Sequence, residues 1–278
     1  MATHLICTDL DRTLIPNGSH EEPLLARARF GNIFKYNDAK LAYVSGRSIA
    51  LVEQGIAEYL LPRPNAIIAD VGASIYHAND TGWEPDPHWH TLIAKDWQGQ
   101  SWQSLIEYLT AIDNITLQEE QTNQSCPHKL SYYTPPDINA NKLQHDIQQI
   151  LGEQGFNSRA IWSLDEAKNC GLLDILPASV SKLHAIEFLA KTQDIDLTHC
   201  LFAGDSGNDL EALESHIPAV LVANASPEVR RLAMQGAKRL NNEDKLYLAQ
   251  YQSQDDNGNY AGGILQGIEH FYPELYSA

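Results

Sequence analysis

The sequence predicts an α/β protein: a Rossmann-like, doubly wound parallel-sheet core into which a second α+β domain is inserted. Two observations lead to this prediction. Short apolar runs that end in polar or glycine-rich turns alternate with helical periodicity near both ends of the chain. Over residues 81–179 the order of the predicted elements changes. A length of 278 residues is sufficient for two domains.

The core strands are predicted from short apolar runs bounded by turns. These runs are His4–Thr8, Lys40–Val44, Ala66–Ala69, Cys200–Ala203 and Ala219–Val222. After the second run, Ser48 is a typical N-cap residue and apolar residues recur at helical spacing. This strand, loop and helix succession is typical of an open parallel sheet.

The inserted segment is predicted to have the order αββαββ. Helical spacing indicates its two helices, and short apolar or aromatic runs indicate its strands. The helices cover Trp102–Ile112 and Leu143–Leu151, and the strands lie near Thr116 and over Lys129–Tyr133, Ala160–Ser163 and Leu172–Leu176. The core pattern resumes at Ser181. We therefore expect a core of residues 1–80 and 180–278 and a cap of residues 81–179.

Composition excludes several classes of protein. The formal net charge is −17 and no dense Lys/Arg run is present, which disfavours nucleic-acid binding. No apolar run approaches membrane-spanning length, and the first residues lead directly into a strand, so we expect a soluble cytoplasmic protein without a membrane partner. The four cysteines Cys7, Cys126, Cys170 and Cys200 are widely spaced, which favours reduced, buried thiols.

Acidic residues follow two of the predicted strands. Asp9 and Asp11 lie two residues apart after the first strand, so in extended backbone their side chains point the same way. The segment Gly204–Asp209 follows the Cys200–Ala203 strand, and its glycines permit a tight turn. Two adjacent ionised carboxylates are costly unless a cation neutralises them or one holds a proton. We expect Asp9 and Asp205 to share one Mg²⁺, which prefers hard oxygen ligands.

Four motifs occur in order: DLDRTL at Asp9, SGR at Ser45, Ser181-Lys182 at a helix start, and GDSGND at Asp205. In this combination the chain resembles the haloacid dehalogenase superfamily. The resemblance implies a phosphatase in which Asp9 is the nucleophile and Asp11 is the general acid and base. Ser45 and Lys182 would then bind the phosphoryl group.

The resemblance also implies the other site residues. The metal ligands would be Asp9, the backbone carbonyl of Asp11, Asp205 and Asp209. Gly46, Arg47 and Asn208 would complete the substrate site. Arg12 stands where the family commonly has glycine or asparagine, and its side chain either faces solvent, which we favour, or reaches substrate.

Three further stretches resemble sucrose-phosphate phosphatases, and the insert resembles the type IIB cap of the superfamily. The stretches are Val71–His77, Pro127–Tyr132 and Ala261–Ile268. The resemblance implies a small phosphorylated sugar as substrate, most specifically sucrose 6-phosphate. In the cap, Gln124 and Lys129 are the candidate sugar-binding residues. Arg12 and Leu14 differ from the sucrose-phosphatase signature.

Several alternatives remain open on the sequence. The substrate could be mannosylfructose phosphate or glucosylglycerate phosphate, or the chain could be a non-catalytic module that binds a sugar phosphate. A phosphomutase would share the core. A signalling receiver domain also uses a phospho-accepting aspartate, but it lacks the long insert between Ser45 and Lys182. The family resemblance also suggests association with a glycosyltransferase.

Overall fold

The computed structural model describes residues 3–119, 126–165 and 168–276. The chain divides into two compact units. The first unit joins Met1–Glu84 with Lys182–Ala278, and the second is the continuous segment Pro85–Ser181. From the sequence, these boundaries are expected at 80/81 and 179/180.

The strands of the first unit form one eight-stranded sheet. In chain order the described strands are β1 (His4–Thr8), β2 (Ala39–Val44), β3 (Ala66–Ala69), β4 (Ser74–Asn79), β5 (Gly82–Pro85), β6 (Thr116–Leu117), β7 (Leu130–Thr134), β8 (Ser158–Asp165), β9 (Cys170–Pro177), β10 (Cys200–Gly204), β11 (Ala219–Leu221) and β12 (Leu246–Leu248). The sheet order is β12-β11-β10-β1-β2-β3-β4-β5. Pairing is parallel from β12 to β3 and antiparallel between β3 and β4. The predicted α/β class with a parallel-sheet core is confirmed.

The described helices are α1 (Ala26–Tyr36), α2 (Ile49–Glu58), α3 (Pro87–Ile93), α4 (Gln103–Ile106), α5 (Ala140–Glu153), α6 (Lys182–Thr192), α7 (Leu210–Leu213), α8 (Pro227–Leu240) and α9 (Ala261–Phe271). The longest, α5 and α8, have 14 residues each. In the three described ranges, no helix has both the length and the apolar character that a membrane crossing requires. All four cysteines are free thiols.

The centre of the first sheet is buried, which explains the apolar sequence of its strands. Every residue of β1 is buried, as expected for a parallel strand that is covered on both faces. The register places Cys7 between Ala42 of β2 and Phe202 of β10. The carboxyl ends of β1, β2 and β10 therefore lie side by side at one edge of the sheet.

The second unit contains an antiparallel sheet with the order β6-β7-β9-β8. Its core includes the fully buried side chains of Trp97, Leu130, Ile147 and Leu173. Helix α5 begins after Asn139, whose side chain accepts a hydrogen bond from the Lys142 backbone N–H.

Two features of this unit differ from the sequence prediction. Helix α3 was not expected, although Asp86 accepts hydrogen bonds from two backbone N–H groups of its first turn and Pro87 occupies the first helical position. The single helix expected over Trp102–Ile112 is wrong: α4 has four residues and continues as a 3₁₀ turn, Glu107–Leu109. Short 3₁₀ segments commonly end a helix in this way.

Candidate active site

Three predicted site residues lie directly after three adjacent strands. Asp9 follows β1, Ser45 follows β2 and Asp205 follows β10. The Asp9 N–H donates to the Ala203 carbonyl at 2.9 Å, so the parallel pairing continues as far as Asp9. All three predicted site residues are buried. The edge formed by the carboxyl ends of strands is the usual ligand site of an open α/β sheet.

Lys182 connects two of the predicted acidic residues. Its ammonium group lies 2.8 Å from Oδ1 of Asp9 and 2.6 Å from Oδ1 of Asp209, and its side chain is 2% exposed. Burial alone would lower the pKa of Lys182, but the charges of Asp209 and Asp9 outweigh it and raise this pKa. Lys182 is therefore a permanent cation at the first residue of α6, a position where the helix dipole disfavours positive charge.

Asp9, Asp205 and Asp209 form a buried carboxylate cluster, with one oxygen of each within 4.8 Å of the others. Burial raises the pKa of Asp9 well above its usual value; Lys182 opposes this rise, while Asp209 and Asp205 add to it. Burial and the neighbouring Asp209 raise the pKa of Asp205 to about 7. If all three acids were ionised, the cluster would carry more negative charge than Lys182 can neutralise.

The Asp205 carboxylate has one oxygen that is suited to a cation. Thr13 Oγ1 donates to Oδ1 of Asp205 at 3.1 Å and lies 3.5 Å from Oδ2 of Asp9. The other oxygen, Oδ2 of Asp205, is buried and accepts no hydrogen bond from the described part of the chain. A buried oxygen without a donor, beside two further carboxylates, fits a hard divalent cation such as Mg²⁺.

Both carboxylate oxygens of Asp209 are already engaged. Oδ1 accepts from Lys182, and Oδ2 accepts from the N–H groups of Asp205 and Ser206 at 3.1 and 3.0 Å. Gly204 permits this close approach, because a Cβ there would lie 2.6 Å from Cγ of Asp209. Asp209 thus holds the loop that carries Asp205. Asn208 is exposed, and its side-chain oxygen accepts from Ser206 Oγ at 3.0 Å.

Asp11 is held by Arg47, a residue that sequence reasoning assigned to substrate. Nε of Arg47 lies 2.7 Å from Oδ2 of Asp11, and a terminal nitrogen lies 2.6 Å from Oδ1, which also accepts from Asn17 at 2.7 Å. Burial raises the pKa of Asp11, but Arg47 and Asn17 outweigh it and leave this pKa below its usual value. Asp11 is therefore an anion. The Arg47 N–H donates to Ser45 Oγ at 3.2 Å, and Gly46 lies between the two.

In the second unit Lys129 belongs to a polar cluster that the sequence did not reveal. Its ammonium group lies 3.6 Å from Oδ1 of Asp174, and Ser131 Oγ donates to the same oxygen at 2.6 Å. Ser131 and Asp174 are directly opposite each other on β7 and β9. A charged residue inside the apolar run Leu172–Leu176 is the signal that could have identified Asp174. Gln124 lies outside the described residues.

His128, beside Lys129, has the environment of a core residue. Its ring is buried and lies 6.0 Å from the rings of His90 and Trp97. Burial, with a smaller contribution from His90, lowers the pKa of His128 to about 4. His128 is therefore neutral at physiological pH.

Comparison with known proteins shows which family the chain resembles. The family model described as sucrose-6F-phosphate phosphohydrolase matches residues 2–272. A HAD-like hydrolase of Nitrosococcus oceani is 45% identical over 272 residues, which cover 97% of this chain and 72% of the relative. The mannosylfructose-phosphate phosphatase of Agrobacterium fabrum is 27% identical, with 96% of each chain covered.

A solved structure shows the same fold. The sucrose-phosphatase of Synechocystis, determined in complex with sucrose and phosphate, superposes with a TM-score of 0.73. Its sequence is 24% identical, and 98% of each chain is covered. The family match, the named relatives and the buried aspartates at the strand ends together identify a phosphoric monoester hydrolase. The chain belongs to the sucrose-6F-phosphate phosphohydrolase family of the haloacid dehalogenase superfamily.

Proposed function

We propose that this protein is a Mg²⁺-dependent phosphatase that hydrolyses a phosphorylated sugar, with sucrose 6-phosphate as the first candidate, through an aspartyl-phosphate intermediate. The observation that supports this proposal most strongly is the position of Lys182, which bridges Asp9 and Asp209 at the carboxyl ends of the central strands. A buried carboxylate beside a buried ammonium group is equipped to attack phosphorus and to bind its oxygens.

The chemistry would proceed in two displacements at phosphorus. In the first, a carboxylate oxygen of Asp9 bonds to phosphorus, the ester bond breaks, and the leaving sugar oxygen takes a proton from Asp11. In the second, Asp11 takes a proton from water, the water oxygen bonds to phosphorus, and the bond to Asp9 breaks. Because Asp11 is paired with Arg47 in the free protein, it must be protonated before it can act as the acid.

The remaining site residues would bind charge. Ser45 and Lys182 would hold the phosphoryl oxygens. Asp9, the Asp11 carbonyl and Asp205 would hold Mg²⁺, with Asp209 positioning their loop; when bound, the ion supplies positive charge to these acids and to the phosphate. Oδ2 of Asp205, which is buried and accepts no hydrogen bond from any described residue, supports this part of the proposal.

Substrate choice would lie with the inserted unit. Lys129, Ser131 and Asp174 together offer donors and acceptors suited to sugar hydroxyls. The 27% identity to a mannosylfructose-phosphate phosphatase favours that phosphate as the second candidate. Glucosylglycerate phosphate, a glycosyltransferase partner and a cytoplasmic location stay predictions from family resemblance.

The direct experiment measures phosphate release from a panel of sugar phosphates with Mg²⁺ and with EDTA. The panel contains sucrose 6-phosphate, mannosylfructose phosphate, glucosylglycerate phosphate and simple hexose phosphates, compared by kcat/KM. We expect release only with the metal and the highest kcat/KM for sucrose 6-phosphate. Preference for another member would change the substrate and keep the chemistry. No release from any member, with sugar phosphate still bound, would support the non-catalytic module.

Asp9→Asn tests the nucleophile. The amide has nearly the same shape but cannot act as an anionic nucleophile, so phosphate release should fall by at least about a thousandfold. Circular dichroism should show an unchanged fold. The control is Asn79→Asp, which exchanges an amide and a carboxylate at the exposed end of β4 and should leave the rate unchanged. Asn17 is not used as the control position because its side chain contacts Asp11. Full activity in Asp9→Asn would contradict the mechanism.

A further inference from the structure

Arg12 faces the oxygen of Asp205 that is suited to a metal ion. Its Nε lies 3.4 Å from Oδ2 of Asp205; the Arg12 side chain is 43% exposed and the Asp205 side chain 2%. Oδ2 accepts no hydrogen bond within the described residues. The contact is therefore an electrostatic one, in which an outer, solvent-reaching cation covers a buried anion. The side chain of Arg12 thus reaches solvent, as the sequence favoured, and also contacts Asp205.

The backbone at Arg12 is unfavourable for an arginine. Its φ is 58°, in the left-handed region that glycine and asparagine tolerate best. Asn17 and Asn224 hold this conformation: Asn17 Oδ1 accepts from the Arg12 N–H at 2.8 Å, and Asn224 Nδ2 donates to the Arg12 carbonyl at 2.6 Å. Because the loop would accept a smaller residue at lower energy, the arginine side chain has a role that offsets this cost.

The charges around the carboxylate cluster show which role this is. Lys182 is bound to Asp9 and Asp209, and it reaches neither oxygen of Asp205 by a hydrogen bond in the described structure. Among the described residues, the cation in contact with Asp205 is Arg12. A divalent ion bound by Asp205 would repel a guanidinium group only 3.4 Å from the same carboxylate.

We infer that Arg12 is a tethered cation that competes with Mg²⁺ for Asp205, so that it stabilises the metal-free site and weakens metal affinity. This inference rests on the proposed metal dependence. Two ligands that bind one site exclusively reduce each other's apparent affinity. The half-exposed side chain of Arg12 can leave the carboxylate for solvent when the ion enters. Arg12 thereby raises the Mg²⁺ concentration at which the site fills.

The test is a calorimetric titration of the full chain with MgCl₂ in the absence of substrate. Arg12→Asn removes the charge and suits the left-handed backbone, and Arg12→Gly must agree with it. For both we expect Mg²⁺ to bind about two- to fivefold more tightly than in the parent, the range expected for loss of one half-exposed ion pair. Arg12→Lys keeps a cation at the same position and should bind within about twofold of the parent.

A second measurement separates charge from backbone strain. Relief of backbone strain in Arg12→Asn is the same with and without metal, whereas the ion pair stabilises the parent only without metal. The melting temperature of Arg12→Asn relative to the parent should therefore be lower in EDTA than in saturating Mg²⁺. Leu60→Gly, at another exposed residue with a left-handed backbone, φ 52°, relieves strain without a charge change and should leave Mg²⁺ affinity unaltered. If Arg12→Asn and Arg12→Gly bind Mg²⁺ no more tightly than the parent, the inference about Arg12 is wrong, while the proposed metal dependence stands. No Mg²⁺ binding by the parent would overturn the proposed metal dependence and the inference with it.

Discussion

At the residue scale, Arg47 fixes the position of Asp11, the residue that we propose as the general acid. Arg47 presents a planar fork to both oxygens of Asp11, a geometry that lysine cannot reproduce. Arg47→Lys should therefore lower kcat about ten- to a hundredfold through misplacement of Asp11. KM should change less than about threefold if Arg47 acts on Asp11 and not on substrate.

Steady-state kinetics with the preferred sugar phosphate check this prediction. Arg63→Lys is the matched control, since Arg63 is exposed and binds only backbone carbonyls of the β4–β5 region among its described hydrogen bonds. A variant Arg47→Lys whose KM rises while kcat is retained would assign Arg47 to substrate, as the sequence analysis expected.

The raised pKa of Asp205 makes the free energy of unfolding depend on pH and on bound metal. Burial and Asp209 raise its folded pKa to about 7, above the unfolded value, so its contribution is full at low pH and is lost as pH rises through 7. The pKa of Asp9 is also raised, so its contribution to stability is likewise lost as the pH rises. In EDTA the stability should fall by ~2–4 kcal/mol between pH 5 and 8, and saturating Mg²⁺ should remove most of this loss by pairing the carboxylates.

Urea unfolding at several pH values, with and without Mg²⁺, measures this effect. Asp205→Asn cannot ionise at this position, so its metal-free stability should vary less over the same pH range. The prediction is wrong if the metal-free parent is as stable at pH 8 as at pH 5, or if Asp205→Asn keeps the full response to Mg²⁺.

The sequence predicted the site residues that follow strands, because strand ends of a parallel sheet meet at one edge. It did not predict contacts that depend on how the loops fold over that edge. Thr13 reaches Asp205 across 192 positions of sequence, and Arg47 turns to Asp11. No periodicity or motif spacing in the sequence indicates either of these contacts. The partners of Lys129 were missed for the same reason, since strand register sets them.

At the element scale, α9 contains one of the three stretches that resemble sucrose-phosphate phosphatases, and its role is packing. The segment Ala261–Ile268 is entirely buried, and Gly267 lets the helix approach β11 closely. A Cβ at Gly267 would lie 2.7 Å from Cβ of Val220. Gly267→Ala should therefore destabilise the protein by about 1–3 kcal/mol through overpacking, even though alanine favours the helix.

Chemical denaturation of the full chain tests this packing. Gly31→Ala in α1 is the matched control, because its nearest neighbours are atoms of Pro62 at 3.9 Å, an ordinary contact. That variant should be neutral or gain up to about 1 kcal/mol from helix propensity. If Gly267→Ala and Gly31→Ala change the free energy of unfolding equally, the close approach of α9 to the sheet is not the cause of the destabilisation.

Elements with strong local patterns were predicted from the sequence, and weakly patterned ones were not. Strands β1, β2, β3, β10 and β11 were identified because burial on both faces makes them continuous apolar runs. Helix α3 was missed because its seven residues are too few to show a clear period. The overestimate at α4 has the opposite cause: helical spacing continues past Ile106 while the backbone tightens into a 3₁₀ turn.

At the scale of the whole molecule, the chain order explains how two units arise from one sequence. The first unit is assembled from segments on both sides of the insert, so Asp9 and Lys182 meet only after the intervening chain is accommodated. The second unit is continuous and contains its own hydrophobic core. A continuous segment with its own core is the usual unit of independent folding.

We therefore expect residues 85–181, expressed alone, to fold and to unfold in one cooperative transition. Leu173 is fully buried in this core, so Leu173→Ala should cost about 2–5 kcal/mol, enough to abolish most of the stability of so small a domain. Leu164→Ala, on the 45%-exposed Leu164 of β8, should change stability by less than about 0.5 kcal/mol. Circular dichroism during urea unfolding measures the stability of the parent fragment and of the two variants. A fragment without a cooperative transition, or one in which both variants behave alike, would show that this core is stable only within the full chain.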